Sequence, residues 1–122
     1  WGYILKIMAQ ATNDTPYIGT ELVINVNIEP ISDVHMSNYD FTIKAFCNEK
    51  KVVTFNKGDW NCQKVDDDNY VILLDTNDVG AGKLKLIITA YIPDDRFLSE
   101  ENDGKRTEII PINTGIPIKD KF

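Results

Sequence analysis

DNYVILLDTNDVGAGKLKLIITAYIPDD, Asp68 to Asp95, places two apolar runs on either side of a glycine-bearing stretch. In the second run Leu84, Leu86, Ile88, Ala90 and Ile92 share one parity, and Lys83, Lys85, Thr89 and Tyr91 share the other. A strand turns successive side chains to opposite faces, whereas a helix would scatter Leu84, Leu86 and Ile88 around its axis. The run is therefore a half-buried strand. The first run, Tyr70 to Leu74, is short, rich in β-branched and aromatic residues, and apolar on both parities, as suits a central strand. Between them NDVGAGK, Asn77 to Lys83, invites a phosphate-loop reading. Such a loop needs Gly-x4-Gly-Lys followed by Ser or Thr and leads into a helix. Here the glycines lie two apart, Leu84 follows Lys83 and a strand follows the loop. The stretch reads instead as a corner: Asn77 and Asp78 open a turn, and Gly80 and Gly82 supply backbone angles that other residues avoid.

The same period of two extends in both directions. In Thr20 to Glu29, Leu22, Ile24, Val26 and Ile28 alternate with polar residues, and Val23 alone breaks the polar face. In Asp40 to Asn48, Phe41, Ile43, Ala45 and Cys47 are expected inward; a polar turn over Asn48 to Lys51 then leads into a strand over Val52 to Asn56. Tyr3 to Met8 and Thr107 to Ile112 complete the set, the latter at an edge because Pro111 cannot donate to a ladder. About seven short strands separated by turn clusters predict an all-β fold. The expected architecture is an antiparallel β-sandwich, immunoglobulin-like or fibronectin-like. Residues 1–118 read as one domain and residues 119–122 as a C-terminal tail or linker.

Composition narrows the function classes. A chain of 122 residues, 43% hydrophobic and 26% charged, is a single folded domain. Its net charge of −6 disfavours nucleic acid, whose binding rests on clustered positive charge. No stretch approaches the ~20 apolar residues of a membrane-crossing helix, and Lys6 follows Trp1 to Leu5 too closely for a signal core there. Membrane is not an expected partner. Cys47 and Cys62 are too few for a disulfide framework and read as free thiols, with a single bridge as the alternative. With one histidine, His35, and no CxxC or HxxxH, neither a metal site nor another cofactor is expected.

Reaction centres are hard to assemble from these residues. A Ser/His/Asp triad would have to use His35, with Ser32 and Ser37 near it only in sequence and no nucleophile elbow. Asp66, Asp67, Asp68, Asp94 and Asp95 could supply paired carboxylates or a calcium site, but they sit in turns, where Asp is favoured for its own hydrogen bonding. The chain is thus expected to be no enzyme. Asp59-Trp60-Asn61 places an aromatic among polar groups, and Tyr39 and Tyr91 are further candidates for side chains outside the core; such residues stack on sugars or anchor interfaces. Asn13-Asp14-Thr15 matches a glycosylation sequon.

The run from Asp68 to Phe97, followed by GKRTEIIPINTGIPI at Gly104 to Ile118, resembles a known family, as does DFTIKAF at Asp40 to Phe46. The pattern of strand, Asp, Gly-bearing corner, strand and Arg-Thr-Glu strand is similar to the small β-sandwich domains at the N-terminal ends of fibre, baseplate and other virion proteins of phages and prophages of Bacteroides-type gut bacteria. The resemblance covers roughly Glu21 to Ile118 and carries no catalytic residue. It implies a scaffolding domain, located in the virion, whose partners are other virion subunits or copies of itself. The alternative reading is a secreted or surface bacterial β-sandwich that binds carbohydrate through Trp60 and Tyr91.

Overall fold

The computed structural model describes residues 7–11 as backbone and residues 17–28, 34–98 and 104–120 in full. These residues form eight strands: β1 (Ile7–Ala11), β2 (Glu21–Ile28), β3 (Asp40–Phe46), β4 (Val53–Asn56), β5 (Cys62–Asp66), β6 (Asn69–Asp75), β7 (Gly82–Pro93) and β8 (Lys105–Ile118). They build two four-stranded sheets, ordered β1-β2-β6-β5 and β4-β3-β7-β8, with antiparallel neighbours throughout. This order is that of an immunoglobulin-like sandwich. A parallel bridge joins Tyr17 to Lys119, where Ile18 N donates to the Lys119 carbonyl at 2.9 Å.

The inward parity of each strand makes the core. Leu22, Ile24, Val26 and Ile28 of β2 and Ile72 and Leu74 of β6 face Phe41, Ile43 and Ala45 of β3 and Leu84, Leu86, Ile88 and Ala90 of β7, and all are at most 2% exposed. Each large aliphatic or aromatic side chain so placed contributes about 1.5–3 kcal/mol relative to exposure. Phe41 and Tyr70 meet edge to face across the two sheets, their centroids 4.9 Å apart.

NDVGAGK is the corner that carries the chain from the first sheet to the second. Asp75 accepts from Asn77 N at 2.9 Å, a 3-10 turn spans Thr76–Asp78, and Val79 is buried beneath it. Gly80 and Gly82 have φ of 77° and 132°, so both lie where a side chain is strained. A Cβ at Gly82 would come within 3.3 Å of the Cys47 Cβ.

The eight strands among the described residues agree with the expected about seven; the addition is β5, which exposes four of its five residues and so lacks the alternation that marks its neighbours. One bound is corrected. β8 is far longer than Thr107 to Ile112: it continues past Pro111 by means of a bulge at which Thr114 Oγ1 donates to the Leu84 carbonyl at 2.8 Å and Gly115 takes φ 71°. Cys47 lies just beyond β3, half-buried and packed against the core, and Cys62 is fully buried; both thiols are free. Of the expected strand Tyr3 to Met8, residues 3–6 lie outside the described residues, as does the sequon Asn13-Asp14-Thr15.

Candidate functional site

The outer face of the second sheet follows from register. Thr54, Lys44, Ile87 and Pro111 form one row across β4, β3, β7 and β8; Asn56, Thr42, Thr89 and Ile109 form the next; Asp40, Tyr91 and Thr107 form a third. These residues have the parity opposite to the core, so they stand away from it. Ile109 is 67% exposed, Val52 51% and Tyr91 38%. Lys44, Phe46, Glu49, Val52, Thr54 and Ile87 line an open, shallow depression of about 540 Å³. The face thus carries apolar side chains at Phe46, Val52, Ile87, Pro111 and Ile109, with Lys44 and Thr54 in the same row as Ile87 and Pro111. Lys83 and Lys85 lie at the corner end, and Asp40 lies at the other end.

β8 is also an edge of this sheet. Pro111 and Pro117 have no N–H, so the unpaired side of β8 is interrupted twice within the strand. The broad face therefore offers more continuous contact than the edge does.

The three aromatic candidates separate. Trp60, in the β4–β5 connection, is 76% exposed, and Tyr91 stands on the outer face just described. Tyr39 is corrected: it is 4% exposed and packs edge to face on Phe41 with centroids 6.3 Å apart, so it belongs to the core. Burial drives its phenol well above the usual range, with Asp68 and Glu108 adding to the rise. Its parity, shared with Phe41 and Ile43, is the sequence signal that places it inward. Ile87, on the polar parity of β7, is the signal for the outer face that the alternation left unread.

The acidic turns are structural clasps. Asp68 accepts from His35 Nδ1 at 2.8 Å, and its carbonyl receives Ile28 N at 3.2 Å and Asn27 Nδ2 at 3.1 Å. Asp67 accepts from Ser37 Oγ at 3.1 Å and pairs with Lys64 at 3.2 Å, while Asp66 accepts from Asp68 N and Asn69 Nδ2. Lys57 Nζ donates to the Ser37 and Tyr39 carbonyls, each at 2.9 Å. The run Asp66 to Asp68 thereby ties the β5–β6 hairpin to the 35–39 crossover between sheets. Ser37 gives its hydroxyl to Asp67, so the hydrogen bond that would build a Ser37–His35–Asp68 relay is not the one made. Asp94 takes two bonds from the Arg96 guanidinium, at 2.9 and 2.7 Å, and one from Arg96 N at 3.1 Å, and it pairs with Arg106 Nε at 3.2 Å; Arg106 also pairs with Glu108.

Burial pushes the Cys62 thiol up to about 11, with Asp59 adding to the rise, so it stays protonated and poorly nucleophilic. Among the described residues no group of three His, Cys, Asp or Glu side chains could hold a metal ion, and no helix is long and apolar enough to cross a membrane. Compared with known proteins, the chain matches no family model and no curated sequence.

Proposed function

We propose that this chain is a non-enzymatic structural module of a phage particle, a fibre or baseplate adaptor or a capsid-decorating protein, that works by protein–protein assembly. The observation that carries the assembly reading is the adjacent set of apolar side chains Ile87, Pro111 and Ile109 on the second sheet's outer face, with Phe46, Val52 and Tyr91 on the same face. Contiguous apolar side chains at the surface mark contact sites for other macromolecules. The assignment to a phage particle rests on the sequence resemblance from Glu21 to Ile118, and the acidic balance of the chain agrees with partners other than nucleic acid or an anionic membrane. Mass spectrometry of purified particles from a producing culture tests it. The chain is expected at a fixed stoichiometry to the major virion proteins, and particles that lack it would end the proposal.

The exposure of Trp60, at 76%, favours a second reading, carbohydrate binding at the β4–β5 connection. It expects saturable binding on a glycan array that disappears in Trp60→Ala. Binding that survives this substitution, or none at all, removes it.

A further inference from the structure

The outer faces of the two sheets carry opposite charge at the same end of the molecule. On the first sheet, Glu21 of β2 and Asp75 of β6 are direct cross-strand partners, both exposed. Like charges placed directly opposite one another destabilise a sheet. No ion pair among the described residues involves either carboxylate. Elsewhere on that face Val23, Asn25 and Asn27 on β2, Asn69, Val71 and Leu73 on β6, and Gln63 on β5 are neutral, while Asp66 of β5 stands opposite Asn69 at the far end. On the second sheet, Lys83 and Lys85 stand two residues apart on the outer parity of β7, and Lys44 lies diagonal to Lys85, next to Phe46. Asp40, a carboxylate on this outer face, lies at the far end, and Glu49 sits in the β3–β4 turn. Both clusters adjoin the β6–β7 corner, because β6 ends at Asp75 and β7 begins at Gly82. At the corner end, the charges of the two faces thus match in place and oppose in sign.

We propose that copies of this chain stack front to back, the outer face of the second sheet of one copy on the outer face of the first sheet of the next, with Lys83 and Lys85 over Glu21 and Asp75. This deepens the assembly reading above by naming a second copy as the partner. Two sheets packed face to face lie about 10 Å apart with strands aligned to within about 30°. The β1 and β8 edges adjoin, so β7 lies over β2 and β3 over β6; a copy translated without inversion therefore brings the lysine end over the carboxylate end and sets Ile87 of β7 against Val23 of β2. The contact is heterologous, so it does not close at a dimer but continues as a row. A face four strands wide and about seven residues long measures about 19 by 23 Å. That is roughly half of the ~800 Å² that each partner gives a standard interface, so a single junction is weak and strengthens only where many are held in register.

Sedimentation velocity of the full chain, from about 10 μM to about 1 mM and at about 0.05 and about 0.5 M salt, tests this. The expected result is an average mass that rises past that of a dimer at low salt, with association at least about ten-fold weaker at high salt. Lys83→Glu/Lys85→Glu and Glu21→Lys/Asp75→Lys should each be monomeric alone. Mixed in equal amounts they should associate again, because every junction in an alternating row then joins opposite charges. A wild-type chain that stays monomeric at low salt, one that stops at a dimer, or a Glu21→Lys/Asp75→Lys variant that associates like wild type overturns the stacking. The wild-type series decides the matter even where a variant fails to fold. Monomers from a chain that is present in particles would leave the virion reading standing, whereas rows formed by a chain absent from particles would do the reverse.

Discussion

Thr76 shows how much one side chain holds at the corner. It is fully buried; its hydroxyl lies 2.7 Å from the Thr20 carbonyl and 3.2 Å from that of Tyr17, and it accepts from Gly19 N and Thr20 N at 2.9 and 3.1 Å. Thr76→Val keeps the shape and removes these bonds, so urea unfolding is expected to show a loss of about 1–3 kcal/mol. Unchanged stability would mean that the backbone groups find other partners. The carboxylates of the clasps act through pH. Hydrogen bonds from Arg96 hold Asp94 down from 3.8 to about 2, the Asn69 amide lowers Asp66, and Lys64 lowers Asp67. A carboxylate with a depressed pKa in the fold stabilises it fully above the unfolded value and loses that contribution as pH falls through the folded value. Stability is therefore expected to fall from about pH 4 towards pH 2, and Asp94→Asn to fall less steeply over the same range. Equal slopes in the two proteins would remove Asp94 from the account. Tyr39 and Trp60 mark the limit of reading single residues: polar neighbours suggest exposure for both, but only Trp60 lies in a connection, while Tyr39 has the parity that a strand buries.

Elements differ in how openly they declare themselves. β2, β3 and β7 each put one parity wholly into the core, so alternation alone locates them and names their buried residues. β5 is held by its pairing with β6 and buries only Cys62, so its residues carry little periodicity, and the strand becomes visible only through its partner. β8 is obscured differently: Pro111, Gly115 and Pro117 are residues that usually end strands, yet an edge position tolerates the prolines and a bulge uses the glycine. The prolines also protect that edge. Pro111→Val restores an N–H on the free side of β8, and faster aggregation by light scattering is expected; an unchanged rate would show that the edge is guarded by something else. At the corner, Gly82→Ala meets both a φ of 132° and the Cys47 Cβ at 3.3 Å. A loss of about 1–3 kcal/mol in chemical denaturation is the expected outcome.

For the whole molecule, the sandwich follows from period two and turn spacing, whereas the proposed interaction face does not. Its members come from four strands that only the register brings into rows, and the signs available in sequence are single apolar residues on a polar parity, Val23 on β2 and Ile87 on β7. The same register sets lysines at one end of the second sheet and a carboxylate pair at that end of the first, so the two outer faces are opposite in charge there. Methyl spectra of the full chain, recorded from about 20 μM to about 1 mM, test most directly whether these faces are the contact surfaces. The account predicts concentration-dependent shifts at Ile87, Ile109, Val23, Val71 and Leu73, with buried Ile24 and Ile43 unmoved; shifts that gather elsewhere, or none across the range, would contradict it.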